Sequence, residues 1–189
     1  PYLLYVSRIE HPGKNHVRLI EAFEALAGED FPHHLVLAGP DWFRAEEVHL
    51  RARSSPWSDR IHLLGAFPGQ DLPALYAGAD LMVFPSLYEG FGLPVLEAMA
   101  CGTPVACSRV SSLPEVAGEA AEYFDPLDAR SIARTLAETL RNPSRMRQMI
   151  RQGRERAAGF RWEATADRTR EALEEAADGR ILPHEETGP

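Results

Sequence analysis

Six short apolar runs, each followed by a segment with helical periodicity, constrain the fold of this chain more than any other feature of its sequence. The runs are nearly continuous, which is typical of strands that are buried on both faces of a parallel sheet. Strands that alternate with helices predict an α/β fold, a doubly wound parallel six-stranded Rossmann-like sheet with helices on both faces. Such a sheet binds its ligand at the carboxyl ends of the strands. The predicted strands are residues 3–6, 35–38, 61–64, 81–84, 105–107 and 122–124.

The length and composition of the chain predict one globular domain. Its 189 residues are enough for one well-buried core, and 44% hydrophobic with 25% charged residues is ordinary for a soluble protein. We expect this domain at residues 1–177 and a disordered tail at residues 178–189, which are rich in Pro, Gly and Glu. Because the chain opens directly in a strand, without an initiator Met or a leader, we expect it to be a piece of a larger protein.

Charge, hydropathy and cysteine content disfavour several classes of protein. A net charge of −8 argues against a nucleic-acid-binding protein, whose binding face is normally basic. No apolar run approaches the roughly twenty residues that a membrane-spanning helix needs. Cys101 and Cys107 lack C-x-x-C spacing, so we expect free thiols in a reducing compartment and therefore a cytoplasmic protein.

The segment 81–108 is predicted to form a strand, a glycine-containing loop, a short apolar helix, a tight turn and a second strand, and to be the floor of an active site. Pro94 suits the first residue of that helix, and Gly102 suits the left-handed position just past its end. Between Gly90 and Gly102 the only charged residue is Glu97, so we expect a carboxylate on a helix that is otherwise buried all round. No Arg or Lys occurs in this segment. Glu97 must therefore be protonated, paired with a base from elsewhere in the chain, or paired with donors on a ligand.

A second carboxylate, Glu89, lies in the loop ahead of the same helix, eight positions before Glu97. Both acids are then close to the free N–H groups at the helix start, which attract phosphate. A ligand that offers hydroxyls to the carboxylates and phosphate to the helix end would satisfy all of these groups. A nucleotide-sugar is such a ligand.

The run EGFGLPVLE, from Glu89 to Glu97, resembles the E-x7-E signature of the retaining glycosyltransferases of family 4 (group 1), which have the two-lobed GT-B fold. The resemblance extends from Tyr2 to about Ala177 and implies the C-terminal, donor-binding lobe. It implies transfer of a sugar, a hexose such as mannose, from a UDP- or GDP-sugar to a glycan or lipid-linked acceptor in polysaccharide assembly. It also implies that no cofactor and no metal are needed, and that an N-terminal acceptor-binding lobe completes the enzyme. The isolated lobe is expected to bind donor nucleotide without transferring sugar.

The resemblance also assigns roles to individual residues. Glu89 would meet the hydroxyls of the donor sugar and Glu97 the ribose, while Arg8 and Lys14 would bind the diphosphate. Glu89, Arg8 and Lys14 are the expected catalytic residues. The other expected donor-binding residues are Gly90, Phe91, Gly92 and Leu93 beside the acids, and Gly39, Gly65 and Phe67 in the loops after the second and third strands.

Simpler explanations exist for some of these residues. Lys14 is the single lysine among the twenty basic residues, and a compact ammonium suits a phosphate contact, although solvated loop charges would also account for Lys14 and Arg8. Turn geometry alone would explain the glycines of the second and third loops.

Two other functions compete with glycosyl transfer. A dinucleotide oxidoreductase would use Gly90-Phe91-Gly92 as part of G-x-G-x-x-G, but the third glycine position is Val95, and Ser108-Arg109 stands where an acid should hold the ribose. A non-catalytic nucleotide- or carbohydrate-binding domain of the same fold is the other alternative. Metal-dependent hydrolysis and serine hydrolysis are disfavoured because the chain has neither H-E-x-x-H nor G-x-S-x-G.

The remaining local patterns predict helix caps and a basic helix. Ser112 to Glu115 has the S-x-x-E form of a capping box, and Asp71 is expected to be an N-cap. Seven arginines and one acid lie between residues 141 and 161. They could form a basic surface that binds the inner face of a membrane or an anionic acceptor. We favour the simpler interpretation, a solvated helix face. These arginines are Arg141, Arg145, Arg147, Arg151, Arg154, Arg156 and Arg161.

Overall fold

The computed structural model describes residues 1–28 and 30–178, and six strands in this part of the chain form one parallel sheet. The sheet order is β3-β2-β1-β4-β5-β6. All six predicted strands are confirmed, each to within one residue at either end. The strands are Tyr2–Val6 (β1), His34–Ala38 (β2), Ile61–Gly65 (β3), Leu81–Phe84 (β4), Val105–Ser108 (β5) and Ala121–Phe124 (β6).

Helices connect these strands, as the alternating pattern predicts. Residues 1–157 form one compact unit, and the last helix belongs to a second unit. The predicted tail lies outside the described residues, apart from Asp178 at the end of the last helix. The helices are His16–Leu26 (α1), Ala45–Arg53 (α2), Leu72–Ala77 (α3), Leu93–Cys101 (α4), Leu113–Ala117 (α5), Ala129–Leu140 (α6), Pro143–Ala158 (α7) and Trp162–Ala177 (α8).

The direction of the crossovers places helices on both faces of the sheet. From β1 the chain runs outward through β2 to β3, and from β4 it runs outward in the opposite direction through β5 to β6. Because parallel crossovers are right-handed, helices of the two halves cover opposite faces. The helix contacts agree, since α1 packs against α2 and α6 while α4 packs against α3 and α5.

The core follows the apolar pattern of the strands. Every residue of β4 and β5 is buried, as expected for strands that are covered on both sides. Helix α4 begins at Leu93, one residue before the predicted start at Pro94, and ends at Cys101 as predicted. Left-handed glycines flank it, Gly102 with φ 80° as predicted and Gly92 with φ 98°.

The solvated face that the sequence favoured for the arginine-rich segment is largely confirmed. Six of its seven arginines are exposed and Arg145 is half-buried. The Arg145 guanidinium lies 2.6 Å from Glu122 Oε1, and the Arg156 guanidinium donates to the carbonyl of Val116 at 2.9 Å. Two of the arginines therefore anchor α7 to strand β6 and to the carboxyl end of α5, where helix carbonyls lack partners. In the described part of the chain, no helix is both long and apolar enough to span a membrane.

Candidate functional site

The candidate site lies between β1 and β4, where the order in which strands are added to the sheet reverses. Strands β1 and β4 are neighbours, with Leu3 beside Leu81 and Leu4 beside Met82, although the chain leaves them toward opposite edges. A doubly wound sheet has its ligand crevice at this point, outside the carboxyl ends of the strands. The loop after β1 carries Lys14, and the loop after β4 carries Glu89.

Lys14 and Glu89 form an ion pair across these two loops. Lys14 Nζ lies 2.6 Å from Glu89 Oε1, and the two side chains are only 18% and 13% exposed. A charge-assisted bond of this length that is largely shielded from water is stronger than a surface ion pair. The two residues to which the family resemblance assigned separate ligand groups thus contact each other directly.

A polar network fixes the backbone on both sides of this pair. The Tyr5 hydroxyl donates to the carbonyl of Lys14 at 2.9 Å, and it lies 3.0 Å from the Ser86 hydroxyl, which must then donate to Tyr5. The amide of Leu87 donates to the carbonyl of Gly13 at 3.0 Å. These bonds hold the loop after β1 against the loop after β4, so Lys14 and Glu89 are positioned before any ligand arrives.

Asn15 links three loops at this edge. Its side-chain amide donates to the carbonyls of Pro85 at 2.9 Å and Pro126 at 2.8 Å, and its carbonyl oxygen accepts from Arg18 at 2.7 Å. The residue is 4% exposed and has a left-handed backbone, φ 61°, which Asn tolerates better than most residues. Sequence reasoning did not single out Asn15, because the carbonyls that its side chain binds follow β4 and β6, far away in the sequence.

Two successive serines hold the backbone of Glu89 from the opposite side. The amide of Glu89 donates to Ser111 Oγ at 3.0 Å, and the Ser112 hydroxyl lies 3.0 Å from the carbonyl of Glu89 and 2.9 Å from that of Phe91. The predicted capping box is therefore wrong, since Ser112 makes no side-chain cap bond to α5. Its hydroxyl instead donates to carbonyl oxygens that lie 23 and 21 positions earlier in the sequence, which no local pattern reveals.

The amino end of α4 faces the same edge. The amide of Val95 is bonded to the carbonyl of Gly92 at 3.0 Å, and Pro94 has no N–H. Within the described residues, this helix end can therefore offer a ligand the amides of Gly92 and Leu93. Both residues are among the expected donor-binding residues. Gly90 has open space around it, and Phe91 is exposed.

Glu97 is placed differently from the sequence expectation. Its side chain is exposed rather than buried, and it lies on the same side of α4 as the exposed residues Leu93 and Ala100. Its partner is Tyr76 on α3, whose hydroxyl donates to Glu97 Oε2 at 2.9 Å. Burial and the charge of Glu97 raise the pKa of Tyr76, so this phenol remains a donor. Asp71 occupies the N-cap position of α3, as predicted, but its side chain makes no cap bond.

Arg8 does not join the Lys14–Glu89 pair. Its guanidinium lies 3.4 Å from Glu10 Oε2 and 5.0 Å from the ring of Trp42, and the side chain is 50% exposed. A half-exposed arginine stacked on an aromatic ring can turn toward a ligand at small cost. The structure thus brings Lys14 and Glu89 together, whereas Arg8, on the same loop as Lys14, pairs with Glu10.

The loops after β2 and β3 continue this edge. The amide of Gly39 donates to the carbonyl of Gly65 at 3.1 Å, which joins the two loops. Gly39 has φ +147°, and a Cβ there would lie 2.0 Å from the carbonyl oxygen of Ser7, so close packing alone requires this glycine. Gly65 has φ +67° with open space beside it, and Phe67 packs partly against the core.

His16 lies buried beneath the loop after β1. Burial lowers its pKa to about 4, with smaller contributions from Lys14 and His11. The neutral ring carries its proton on Nδ1, because that atom lies 3.2 Å from the carbonyl of Glu10, which can only accept. Across residues 1–28 and 30–178, no group of three or more His, Cys, Asp or Glu is arranged to hold a metal ion.

Comparisons with known proteins agree with the fold. Sucrose-phosphate synthase from Thermosynechococcus elongatus superposes with a TM-score of 0.83 at 29% identity, over 95% of this chain and 46% of that one. HepE from Anabaena, solved with UDP and glucose, superposes with a TM-score of 0.81 at 22% identity, over 92% of this chain and 48% of that one. The predicted Rossmann-like sheet of a GT-B lobe is therefore confirmed.

The sequence comparisons identify the family. The O-antigen chain mannosyltransferase B of Escherichia coli is 38% identical over 169 residues, which are 89% of this chain and 44% of that protein. This chain thus spans less than half the length of the relatives described here. Residues 1–156 match the family model described as glycosyl transferases group 1. The chain therefore belongs to the glycosyl transferases of group 1.

Proposed function

We propose that this chain is the C-terminal, nucleotide-sugar-binding lobe of a retaining family 4 glycosyltransferase. The whole protein would move a hexose, such as mannose, from a nucleoside diphosphate sugar to a glycan or lipid-linked acceptor. The observation that carries the proposal is the ion pair of Lys14 and Glu89 at the switch point of the sheet. The pair supports the proposal because a cation suited to phosphate and a carboxylate suited to sugar hydroxyls lie together at the sheet edge that the amino end of α4 faces.

The Lys14–Glu89 pair suggests how the donor is accommodated. When a diphosphate approaches, Lys14 can exchange its bond with Glu89 for bonds to phosphate oxygens, because both partners of the pair are flexible side chains. Glu89 is then free to accept hydrogen bonds from the sugar. The amides of Gly92 and Leu93 would contribute partial positive charge at the same place. Arg8 would complete the phosphate contacts by turning away from Glu10.

Transfer would proceed at the anomeric carbon. The bond from this carbon to the phosphate oxygen breaks, a bond to the acceptor oxygen forms on the same face, and the acceptor proton leaves with the nucleoside diphosphate. Lys14, Arg8 and the amides stabilise the charge that develops on the leaving group, which is preorganised electrostatic catalysis. Glu89 positions the sugar and is not a covalent nucleophile in this scheme. The reaction needs no metal and no cofactor.

The rest of the protein would bind the acceptor. Apolar side chains are exposed at the carboxyl edge after β2, β4 and β6, among them Trp42, Phe43, Tyr88 and Leu127. Exposed apolar groups that adjoin a binding site commonly face a partner surface. We propose that they face an N-terminal acceptor-binding lobe, that the enzyme works in the cytoplasm at the inner face of the membrane, and that this chain alone transfers no sugar.

Nucleotide titration tests the proposal. Calorimetric titration with UDP and with GDP, separately, should give saturable binding of at least one of them. UDP is included because the fold neighbour HepE was solved with it, and GDP because it is the other expected donor nucleotide. Glu97→Gln should weaken that binding, whereas Glu122→Gln, which removes a carboxylate paired with Arg145, should leave it unchanged. No heat with either nucleotide from a cooperatively folding chain would contradict the proposal, and tighter binding of NADH would favour an oxidoreductase.

A further inference from the structure

Tyr76 is the buried partner of an exposed acid in the proposed site. The residue lies on α3, is 1% exposed, and its hydroxyl donates to Glu97 Oε2 at 2.9 Å. Its own carbonyl accepts from the Thr103 hydroxyl at 2.7 Å, which ties α3 to the turn that follows α4. The donor that reaches Glu97 is thus fixed at both its ring and its backbone.

An exposed glutamate without such a donor would sample many rotamers. The carboxylate of Glu97 is carried on three rotatable bonds and lies on the uncovered side of α4. A fixed hydroxyl that holds Oε2 selects one group of these rotamers before any ligand binds. The second oxygen, Oε1, then remains to accept hydrogen bonds from a ligand, since a carboxylate has acceptor capacity on both oxygens.

We infer that Tyr76 is a positioning residue for ribose recognition, holding Oε2 of Glu97 so that Oε1 is presented to the ribose hydroxyls of the bound nucleotide. This inference rests on the proposed function and deepens it, because it adds a residue that acts through Glu97 without touching the ligand. Preorganisation of this kind raises affinity because less side-chain conformational entropy is lost when the contact forms. It should therefore affect ligands that have ribose hydroxyls and spare those that lack them.

The chain offers a matched control on the same helix. The Tyr2 hydroxyl donates to the carbonyl of Leu75 at 2.6 Å, one residue before Tyr76. Tyr2→Phe therefore removes a hydroxyl that anchors α3 while leaving the bond to Glu97 in place. Tyr76→Phe removes one oxygen and no core volume, so thermal unfolding should show both variants folded.

The experiment compares ribose with dideoxyribose. Wild type, Tyr76→Phe and Tyr2→Phe are titrated with GDP, 2′,3′-dideoxy-GDP, UDP and 2′,3′-dideoxy-UDP. Wild type should bind the preferred ribonucleotide about 10- to 100-fold more tightly than its dideoxy form, the scale of a charge-assisted bond. Tyr76→Phe should reduce this ratio by about three- to tenfold while leaving the affinity for the dideoxy form within about twofold. Tyr2→Phe should keep the wild-type ratio.

Two further variants separate positioning from a structural role. In a Glu97→Ala background, Tyr76→Phe should no longer change the ratio, because the hydroxyl has lost its partner. Replacement of Tyr76 by 4-aminophenylalanine, which keeps a donor on the same ring, should restore most of the ratio.

Each contrary outcome has a distinct meaning. An unchanged ratio in Tyr76→Phe, or equal weakening of both forms, would overturn the inference and leave the proposed function standing. A wild type that binds both forms equally well would overturn the inference by removing the ribose contact of Glu97. A wild type that binds no nucleotide would overturn the proposed function itself.

Discussion

Lys14 Nζ and Glu89 Oε1 lie 2.6 Å apart, although 75 positions separate the two residues in the sequence. The separation is bridged by the order of the sheet, because β1 and β4 are neighbours and each loop leaves the carboxyl end of its strand. The loops are also joined through Tyr5, Ser86, Gly13 and Leu87. The charged pair is therefore a property of the folded sheet, and several of its consequences can be measured.

Two glycines of the same loop should respond differently to alanine. Gly92 has φ +98°, and a Cβ there would lie 2.6 Å from Leu113 Cδ2, whereas Gly90 has nothing within 4 Å. Leu113 can turn aside, but the backbone strain remains, so Gly92→Ala should lower the free energy of unfolding by about 1–3 kcal/mol. Gly90→Ala should change it by less than about 0.5 kcal/mol. Urea unfolding measures both, and equal losses would show that the left-handed conformation at position 92 is wrong.

Asn15 should be intolerant of substitution. Asn15→Ala removes two hydrogen bonds to the carbonyls of Pro85 and Pro126 and places alanine in a left-handed conformation. We expect a loss of about 2–4 kcal/mol in the free energy of unfolding, the range for a broken buried network. Asn15→Gly loses the same bonds without the strain, so it should be about 1 kcal/mol more stable than Asn15→Ala. The opposite order in denaturant unfolding would exclude the left-handed backbone.

His16 should make stability depend on pH in mild acid. Its pKa is about 4 in the folded chain against an ordinary value of 6.5 in the unfolded chain, because burial disfavours the charged ring. The unfolded chain therefore binds more protons between these values, so stability is complete above pH 6.5, falls as the pH drops, and levels off below about 4. The contribution lost is about 3 kcal/mol. In His16→Gln the fall in unfolding free energy between pH 6.5 and 4 should be smaller by that amount, and parallel curves would refute a buried neutral His16.

The fold could be predicted because each strand is a separate apolar run. Strands β4 and β5 are buried along their whole length, so their residues are apolar without alternation, and the boundaries follow from composition. The position of Lys14 at the same edge as the E-x7-E segment could also be anticipated, since a doubly wound sheet brings the loops after its first and fourth strands to one edge. Their direct ion pair was not predicted. The left-handed end of α4 at Gly102 could be predicted, because that glycine directly follows the last helical residue.

Other features could not be predicted because they depend on contacts between distant residues. Helix α4 is apolar nearly all round, which indicates burial, but sequence cannot show that the side carrying Glu97 is left uncovered. The S-x-x-E pattern at Ser112 is compatible with a cap, and the hydroxyl binds the loop of Glu89 only because folding brings that loop close. Tyr76 is one buried aromatic among several, and nothing local marks its hydroxyl as the partner of Glu97.

The affinity of the Lys14→Met variant for nucleoside diphosphates tests the central claim most directly. Methionine keeps the length of the side chain and removes its charge. In calorimetric titrations with UDP and GDP, the variant should lose about 1.5–3 kcal/mol of binding free energy, roughly 10- to 150-fold in Kd, because a charge-assisted phosphate contact is lost. An unchanged Kd for the nucleotide that the wild type binds would contradict a diphosphate site at the Lys14–Glu89 pair.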